Sequence, residues 1–320
     1  MIFLVDNRNN SDPFINLAIE DHLLRFSEKS FLLIYVNSPS VVIGRNQNVY
    51  EEANVKFCRE KKINIVRRIS GGGAVYHDKG NLSYSFISDY DRELYNNYEK
   101  FSLPSINVLQ KLKLDAFLND RNDIIIGRKK ISGNAQFTSR KRMITHGTLL
   151  FDADLSALRK SLKVNLDEFT SKSTQSKRSP VANILDELEV KISIDEFKTM
   201  LVEEFSSEYG GIDDYKFSDN EWAKITESAE TKFNNWNWIY ERIPKFEINR
   251  ERIIDEEKYN LYLLVDKGVI QKIKISSSWE KVNAGDIEGM LLGRNYLYDE
   301  VERTISETGF HFSKIIDLLF

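Results

Sequence analysis

Apolar and polar positions alternate along this chain in two periods, one helical and one extended. Leu17, Ala18, Leu23, Leu24 and Phe26 recur at helical spacing with acidic Glu20 and Asp21 between them, so residues 16–26 read as an amphipathic helix begun near Ser11 or Asp12. Short apolar runs at 31–36 and 40–43 and the β-branched run at 63–69 read as strands, and Leu82, Tyr84 and Phe86 alternate with Ser83 and Ser85 in a further one. Residues 106–117, 155–162, 194–205, 286–292 and 312–319 predict helices, whereas 124–126 and 146–151 predict strands. Alternation on both sides of Asp266-Lys267-Gly268 predicts a hairpin over 259–275. Trp222, Phe233, Trp236 and Trp238 cluster ahead of Pro244, which marks aromatic packing at a junction, and the polar stretch 247–257 offers a hinge. The expected organisation is α+β in two units, 1–244 and 245–320.

Between the strands expected at 63–69 and 82–87 lies Arg67-Arg68-Ile69-Ser70-Gly71-Gly72-Gly73-Ala74-Val75-Tyr76-His77. Consecutive glycines let backbone N–H groups approach an anion, so the segment is either a phosphate cradle or a turn linking two strands. A second stretch, 127–136, carries Arg128, Lys129 and Lys130 at a tight hairpin turn. Lys130 and Ser132 are expected on one strand face, with Lys129 opposite in solvent. His146-Gly147 heads the apolar strand at 146–151, and Arg45 lies in the turn after the strand at 40–43.

Composition narrows the chemistry. The net charge of −4 over 320 residues argues against a general nucleic-acid binder. Neither a basic leader nor a bilayer-length apolar run is present, so a cytoplasmic protein that neither crosses nor docks on a membrane is expected. The single cysteine, Cys58, excludes an intrachain disulfide and a thiolate metal cluster. His22, His77, His146 and His311 show no metal-ligand spacing, and the Walker, dinucleotide, nucleophile-elbow and zinc-protease motifs are all absent. What remains is a polyanion cradle with a strand-borne lysine, the equipment for holding a nucleoside triphosphate and stabilising charge at its α-phosphate.

Five stretches in order resemble the signature of lipoate-protein ligases: Ile43-Gly44-Arg45-x-Gln47-Asn48, the segment 67–81 ending Tyr76-His77-Asp78-x-Gly80-Asn81, Arg121-Asn122-Asp123, Lys130-Ile131-Ser132-Gly133-x-Ala135, and His146-Gly147-Thr148-Leu149-Leu150. The resemblance covers the first 185 residues or so and extends to the aromatic approach at 236–246. It implies a large mixed-sheet catalytic domain of the biotin/lipoate ligase type with a smaller α+β C-terminal domain. It also implies an ATP-dependent ligase that forms lipoyl-AMP from free lipoate and then lipoylates a lysine of a carrier domain. The carriers implied are the glycine-cleavage H protein or acyltransferase subunits of 2-oxoacid dehydrogenases, with the enzyme acting as a monomer.

By motif match, Lys130 is the catalytic residue, bridging lipoyl and phosphate oxygens. Arg68 and the Gly73, Ala74, Val75 and Tyr76 backbone hold the nucleotide, helped by Asn122 and Asp123, the latter also as a Mg²⁺ ligand. Ser70, Gly72, His77 and His146 join Arg68 and Lys130 around the lipoyl substrate. Pro180 stands where many family members carry arginine, which leaves position 180 without an anion contact. The rival readings are a lipoyl or octanoyl transferase of the same fold, for which Cys58 is placed away from every motif, and a non-catalytic sensor, which would not require Lys130. The glycine-arginine cradle of biotin ligases is absent.

Overall fold

Serines alternate with large apolar residues at 82–86 because the strand they form separates two unlike environments. The computed structural model describes residues 2–139, 141–254, 256–277, 284–306 and 312–320. Strand Asn81–Asp89 pairs antiparallel with Ser30–Val36 on one side and Arg142–Leu150 on the other. These belong to a six-stranded mixed sheet ordered Asn134–Ser139, Arg142–Leu150, Asn81–Asp89, Ser30–Val36, Ile2–Val5, Ile212–Tyr215, in which Ile2–Val5 pairs parallel with both neighbours. Leu82, Tyr84 and Phe86 enter a core with Phe101 and Leu109 of helix Tyr98–Lys111 and Phe197, Leu201 and Phe205 of helix Ile194–Glu208. Ser83 and Ser85 face the other way, and there Ser85 donates to Glu20 of helix Pro13–Phe26.

Several sequence expectations are corrected. The helix read at 16–26 starts at Pro13, capped by Asp12, but it is not half-solvated: Glu20 is fully buried, and Asp21 is buried between Arg25 and Lys232, 2.6 Å from each. The helix read at 106–117 runs from Tyr98 to Lys111, because Asn97 caps the backbone N–H of Lys100 and Lys113 adopts a positive φ of 63° just past its end. Residues Ala116–Leu118 are then a strand. The glycines do not lead directly into 82–87. They join Asn64–Arg67 to a short strand, Val75–His77, and both flank Ser40–Ile43 in a separate three-stranded sheet.

The hairpin expected at 259–275 is present as Glu257–Asp266 and Val269–Ser277. The polar stretch offered as a hinge is instead the paired strand Phe246–Ile254, whose cross-strand neighbours satisfy its backbone. Strand Phe169–Ser171, from the expected first unit of the chain, completes this four-stranded sheet. Its apolar face shares one core with Val41, Ile43, Tyr50, Cys58 and Tyr76 beneath the three-stranded sheet. Among the described residues, no helix is long and apolar enough to cross a membrane.

Cys58 lies in helix Val55–Glu60 within that shared core, and burial pushes its thiol up to about 12. Such a thiol is almost wholly protonated at neutral pH and is no nucleophile. Native protein is expected to resist alkylation at pH 8 and to react stoichiometrically once unfolded, while Cys58→Ala keeps full activity; a large activity loss in a folded Cys58→Ala variant would revive the cysteine-dependent transferase.

Candidate active site

The floor of the site is the Ser83–Ser85 face of the large sheet. Cross-strand pairing sets Tyr35 opposite Ser83, and Ser85 opposite both Leu33 and His146, with Ala135 beyond His146. Above this face opens a cavity of about 500 Å³, walled by Leu17, Tyr35 and Val42 at its apolar end and by Arg68, His77, Lys130 and His146 among its polar residues. Gly147 lines this cavity through its backbone, and space on the opposite face of the sheet allows nothing larger: a Cβ there would stand 2.3 Å from Asn134 Oδ1 and 2.6 Å from the Tyr84 hydroxyl oxygen.

A second cavity of about 400 Å³ adjoins the first, with Ala74, Val75, Lys130, Gly133, Thr148, Ser176 and Lys177 on both walls. Leu150, Leu158, Leu162, Arg159 and Arg178 give it a mixed apolar and basic lining. Lys130 is presented there by strand Lys129–Ser132, whose backbone also bonds to the 180–182 segment: Lys130 N–H donates to Pro180 and Lys130 C=O accepts from Ala182. Its ammonium pairs with Asp123 at 2.8 Å. Lys130 and Ser132 both line the second cavity, and Lys129 is exposed on the outside, 3.1 Å from Glu187, as the alternation predicts.

The glycine segment is built around a guanidinium. Arg68 is buried and donates to the carbonyls of Val42, Gly71 and Gly73 and to Ser70 Oγ. Burial pulls this guanidinium down to about 10, which leaves it charged at neutral pH. Because a planar peptide sets its C=O and N–H on opposite sides, turning the Gly71 and Gly73 carbonyls toward Arg68 turns the Gly72 and Ala74 N–H groups away from it. Gly72 makes this possible with φ of +89°, and Gly44 passes so close that a Cβ there would strike the Gly72 carbonyl oxygen. The Ala74 N–H is already engaged, donating to Ser176 Oγ at 2.8 Å. Val75 and Tyr76 sit in strand pairing, so the loop amides available to an anion are those of Gly72 and Gly73 rather than the expected 73–76.

Both wall histidines are fixed by neighbours. The amides of Asn7, Asn16 and Asn37 form a chain in which Asn37 Oδ1 accepts from Asn16 and Asn37 Nδ2 bonds His77 Nδ1 at 2.9 Å. His77 Nδ1 is thus the acceptor, and Nε2–H, buried and without a partner among the described residues, is the donor left to a ligand. Burial, then the nearby Arg68 charge, pushes His77 down to about 3 from an ordinary 6.5. Its share of stability is therefore complete above pH 6.5 and lost as pH falls toward 3, since the unfolded chain binds the proton more readily. Denaturant titrations between pH 7 and 4 are expected to show a shallower fall in stability for His77→Gln than for the native protein; parallel curves would contradict the neutral, buried histidine.

Of the other expected residues, Ser70 is wholly buried and lines neither cavity; its Oγ lies 2.7 Å from His146 Nε2. Asn122 also lies off both walls, holding a left-handed turn with φ of +62° while its carbonyl accepts from Asn134. Asp123 lies on the first cavity's wall but is engaged by Lys130. Arg45 is exposed over Phe137, and His311 falls outside the described residues. The sequence reading missed Glu20, and it missed the clamp on the Ser-rich loop. Glu52 accepts from the backbone and hydroxyl of Ser176, and Glu51 from Ser171 and Ser173. Adjacent acidic residues at a short helix end and a serine run are the only traces of this clamp in the sequence.

A six-stranded mixed sheet flanked by a guanidinium-centred glycine loop and a lysine hairpin, each on its own small sheet beside paired cavities, defines the catalytic domain of the lipoate ligase class. Residues 12–206 match the family model of the lipoyl protein ligase A/B catalytic domain. The chain is 42% identical over 301 residues to lipoate-protein ligase LplJ of Bacillus subtilis, covering 92% of this chain and 91% of that one. It is 38% identical over 317 residues to lipoate–protein ligase 1 of Staphylococcus aureus, covering 98% and 96%. The structure of the putative lipoate protein ligase Ta0514 from T. acidophilum with bound lipoic acid superposes with TM-score 0.62 at 28% identity, over 74% of this chain and 98% of that one. Lipoate-protein ligase A bound with ATP also gives 0.62, at 29% identity over 74% and 96%. The chain belongs to the lipoate-protein ligase family, and its chemistry is that of a ligase.

Proposed function

We propose that this chain uses ATP to join lipoate to a lysine of a lipoyl carrier domain through a lipoyl-AMP intermediate. A lipoate carboxylate oxygen attacks the α-phosphorus as the bond to pyrophosphate breaks. The carrier's lysine nitrogen then attacks the activated carbonyl, AMP leaves, and the amine loses its proton. The observation that carries this reading is Lys130, on the wall common to two adjoining cavities. An acid and a nucleotide that must react head to head need one cation where they meet, against charge developing on both.

In this reading the apolar end at Leu17, Tyr35 and Val42 takes the lipoyl chain, and His77 Nε2–H donates to an acyl or phosphate oxygen. The amides of Gly72 and Gly73, in the loop organised by Arg68, hold phosphate. The cavity at Leu150, Leu158 and Leu162 takes the nucleoside, with Arg159 and Arg178 at its edge. Among the described residues no group of three metal-ligating side chains exists, and Asp123, the expected Mg²⁺ ligand, is paired with Lys130. Mg²⁺ here arrives on the nucleotide's phosphates, its usual mode of binding. A solved structure of the Thermoplasma acidophilum ligase and its E2 lipoyl domain supports a lipoyl domain as the acceptor.

The test is incubation with lipoate, ATP-Mg²⁺ and an apo lipoyl domain, following pyrophosphate and the mass of the domain. Lipoate-dependent pyrophosphate release with a lipoyl mass gain is the expected result. Transfer seen only from supplied lipoyl-AMP would assign the chain to the transferases instead.

A further inference from the structure

Glu20 is a carboxylate with no access to solvent, in the middle of the helix that backs the site. Tyr35 Oη donates to it at 3.1 Å, Ser85 Oγ also donates to it, and His146 Nδ1 lies 3.2 and 3.3 Å from its two oxygens. Burial alone would raise this carboxyl, but His146 and the hydrogen bonds from Ser85 and Tyr35 hold it below the usual value. In the neutral imidazole the Nδ1 proton faces the carboxylate and Nε2 accepts from Ser70 Oγ 2.7 Å away. Ser70 Oγ then has its lone pairs directed at Arg68 Nε–H, 3.0 Å away.

Serine, histidine and glutamate in this order have the geometry of a hydrolytic triad, but Ser70 has no surface exposed and faces neither cavity. The chain ends on a guanidinium, not on a substrate. We infer that Glu20 is a positioning residue for nucleotide binding: through His146 and Ser70 it orients Arg68, and Arg68 in turn organises the loop that carries the amides of Gly72 and Gly73. Every hydrogen bond in the series Arg68 Nε–H to Ser70 Oγ–H to His146, and His146 Nδ1–H to Glu20, runs toward the carboxylate. Such aligned chains strengthen one another, and their members act as a unit. Glu20 is also the leading counter-charge favouring the ionised form of the buried Arg68.

The inference rests on the ligase reading, and a double-mutant cycle tests it separately. Glu20→Gln keeps the shape and one acceptor but removes the charge, and Ser70→Ala cuts the chain two links further on. Each is expected to raise KM for ATP in pyrophosphate release about tenfold, the scale of a lost charge-assisted hydrogen bond, and the double variant is expected to be no worse than the worse single. A carboxylate that merely held the fold would lower the unfolding midpoint, leave KM for ATP unchanged, and add independently to Ser70→Ala. Either an unchanged KM in Glu20→Gln or additive effects overturns the relay. Should Glu20→Gln not fold, the Ser70→Ala and His146→Gln cycle is read the same way. Native protein without lipoate-dependent pyrophosphate release would overturn the ligase reading itself, whereas an active native protein with additive variants overturns only the relay.

Discussion

Alanine at position 130 is expected to slow lipoate-dependent pyrophosphate release by about 10²–10³-fold, the usual cost of removing one preorganised contact to developing charge. Two effects add. The cation shared by the two cavities disappears, and Asp123, now without its partner 2.8 Å away, turns an uncompensated carboxylate toward the same wall. Asp123→Asn placed in the Lys130→Ala background is therefore expected to recover activity a few-fold by removing that repulsion. Gly133→Ala supplies an independent check, because the added methyl would lie 2.8 Å from Lys130 Nζ and must displace it. Pre-steady-state pyrophosphate measurements on the four proteins decide the matter, and full activity in Lys130→Ala removes the lysine from the mechanism.

Arg67→Ala is expected to cost about 3–5 kcal/mol of folding stability, among the larger values a single substitution produces. Arg67 is wholly buried and makes no ion pair among the described residues; its guanidinium donates to the carbonyls of Gly44, Arg45 and Gln47 on one side and, twice, to Ile239 on the other. Alanine leaves those acceptors dry and unpaired, each at a cost of roughly 1 kcal/mol or more. Lysine at 67 is expected to recover only part of the loss, since one ammonium cannot span both groups as a planar fork does. Urea unfolding followed by tryptophan fluorescence reports directly, because Trp238 donates to the Arg67 carbonyl at 2.7 Å. A loss below about 1 kcal/mol would show that water replaces the guanidinium easily.

What the sequence disclosed depended on whether the relevant contact was local. Leu82, Tyr84 and Phe86 announced their strand because each face of it meets one environment, and the hairpin over 257–277 followed from its turn. Lys130 was singled out by its motif, and the tight turn before it only fixed the strand phase that sets it opposite Lys129. Glu20 was not, since a carboxylate among leucines on a helix looks the same whether it meets water or a buried histidine 126 residues away. Helix Tyr98–Lys111 was misplaced because its first turn is largely polar and Pro104 interrupts its pattern, while apolar Leu114, Ala116 and Phe117 beyond its end belong to a connection and a strand. The clamp of Glu52 on Ser176 spans 124 positions, beyond the reach of any periodicity.

Strand Phe169–Ser171 has a consequence for dissecting this protein. A chain cut after residue 244 would keep that strand and lose Phe246–Ile254, the neighbour that satisfies its backbone. It would also strip the cover from Val41, Ile43 and Tyr76, which carry the other face of the three-stranded sheet holding the glycine loop. The shortened protein would present an unpaired strand beside an apolar face, the combination that recruits other chains by strand pairing. Truncation at that point should thus produce assemblies rather than a smaller ligase, and the last quarter of the chain is better regarded as the outer wall of the catalytic body than as an appendage to it.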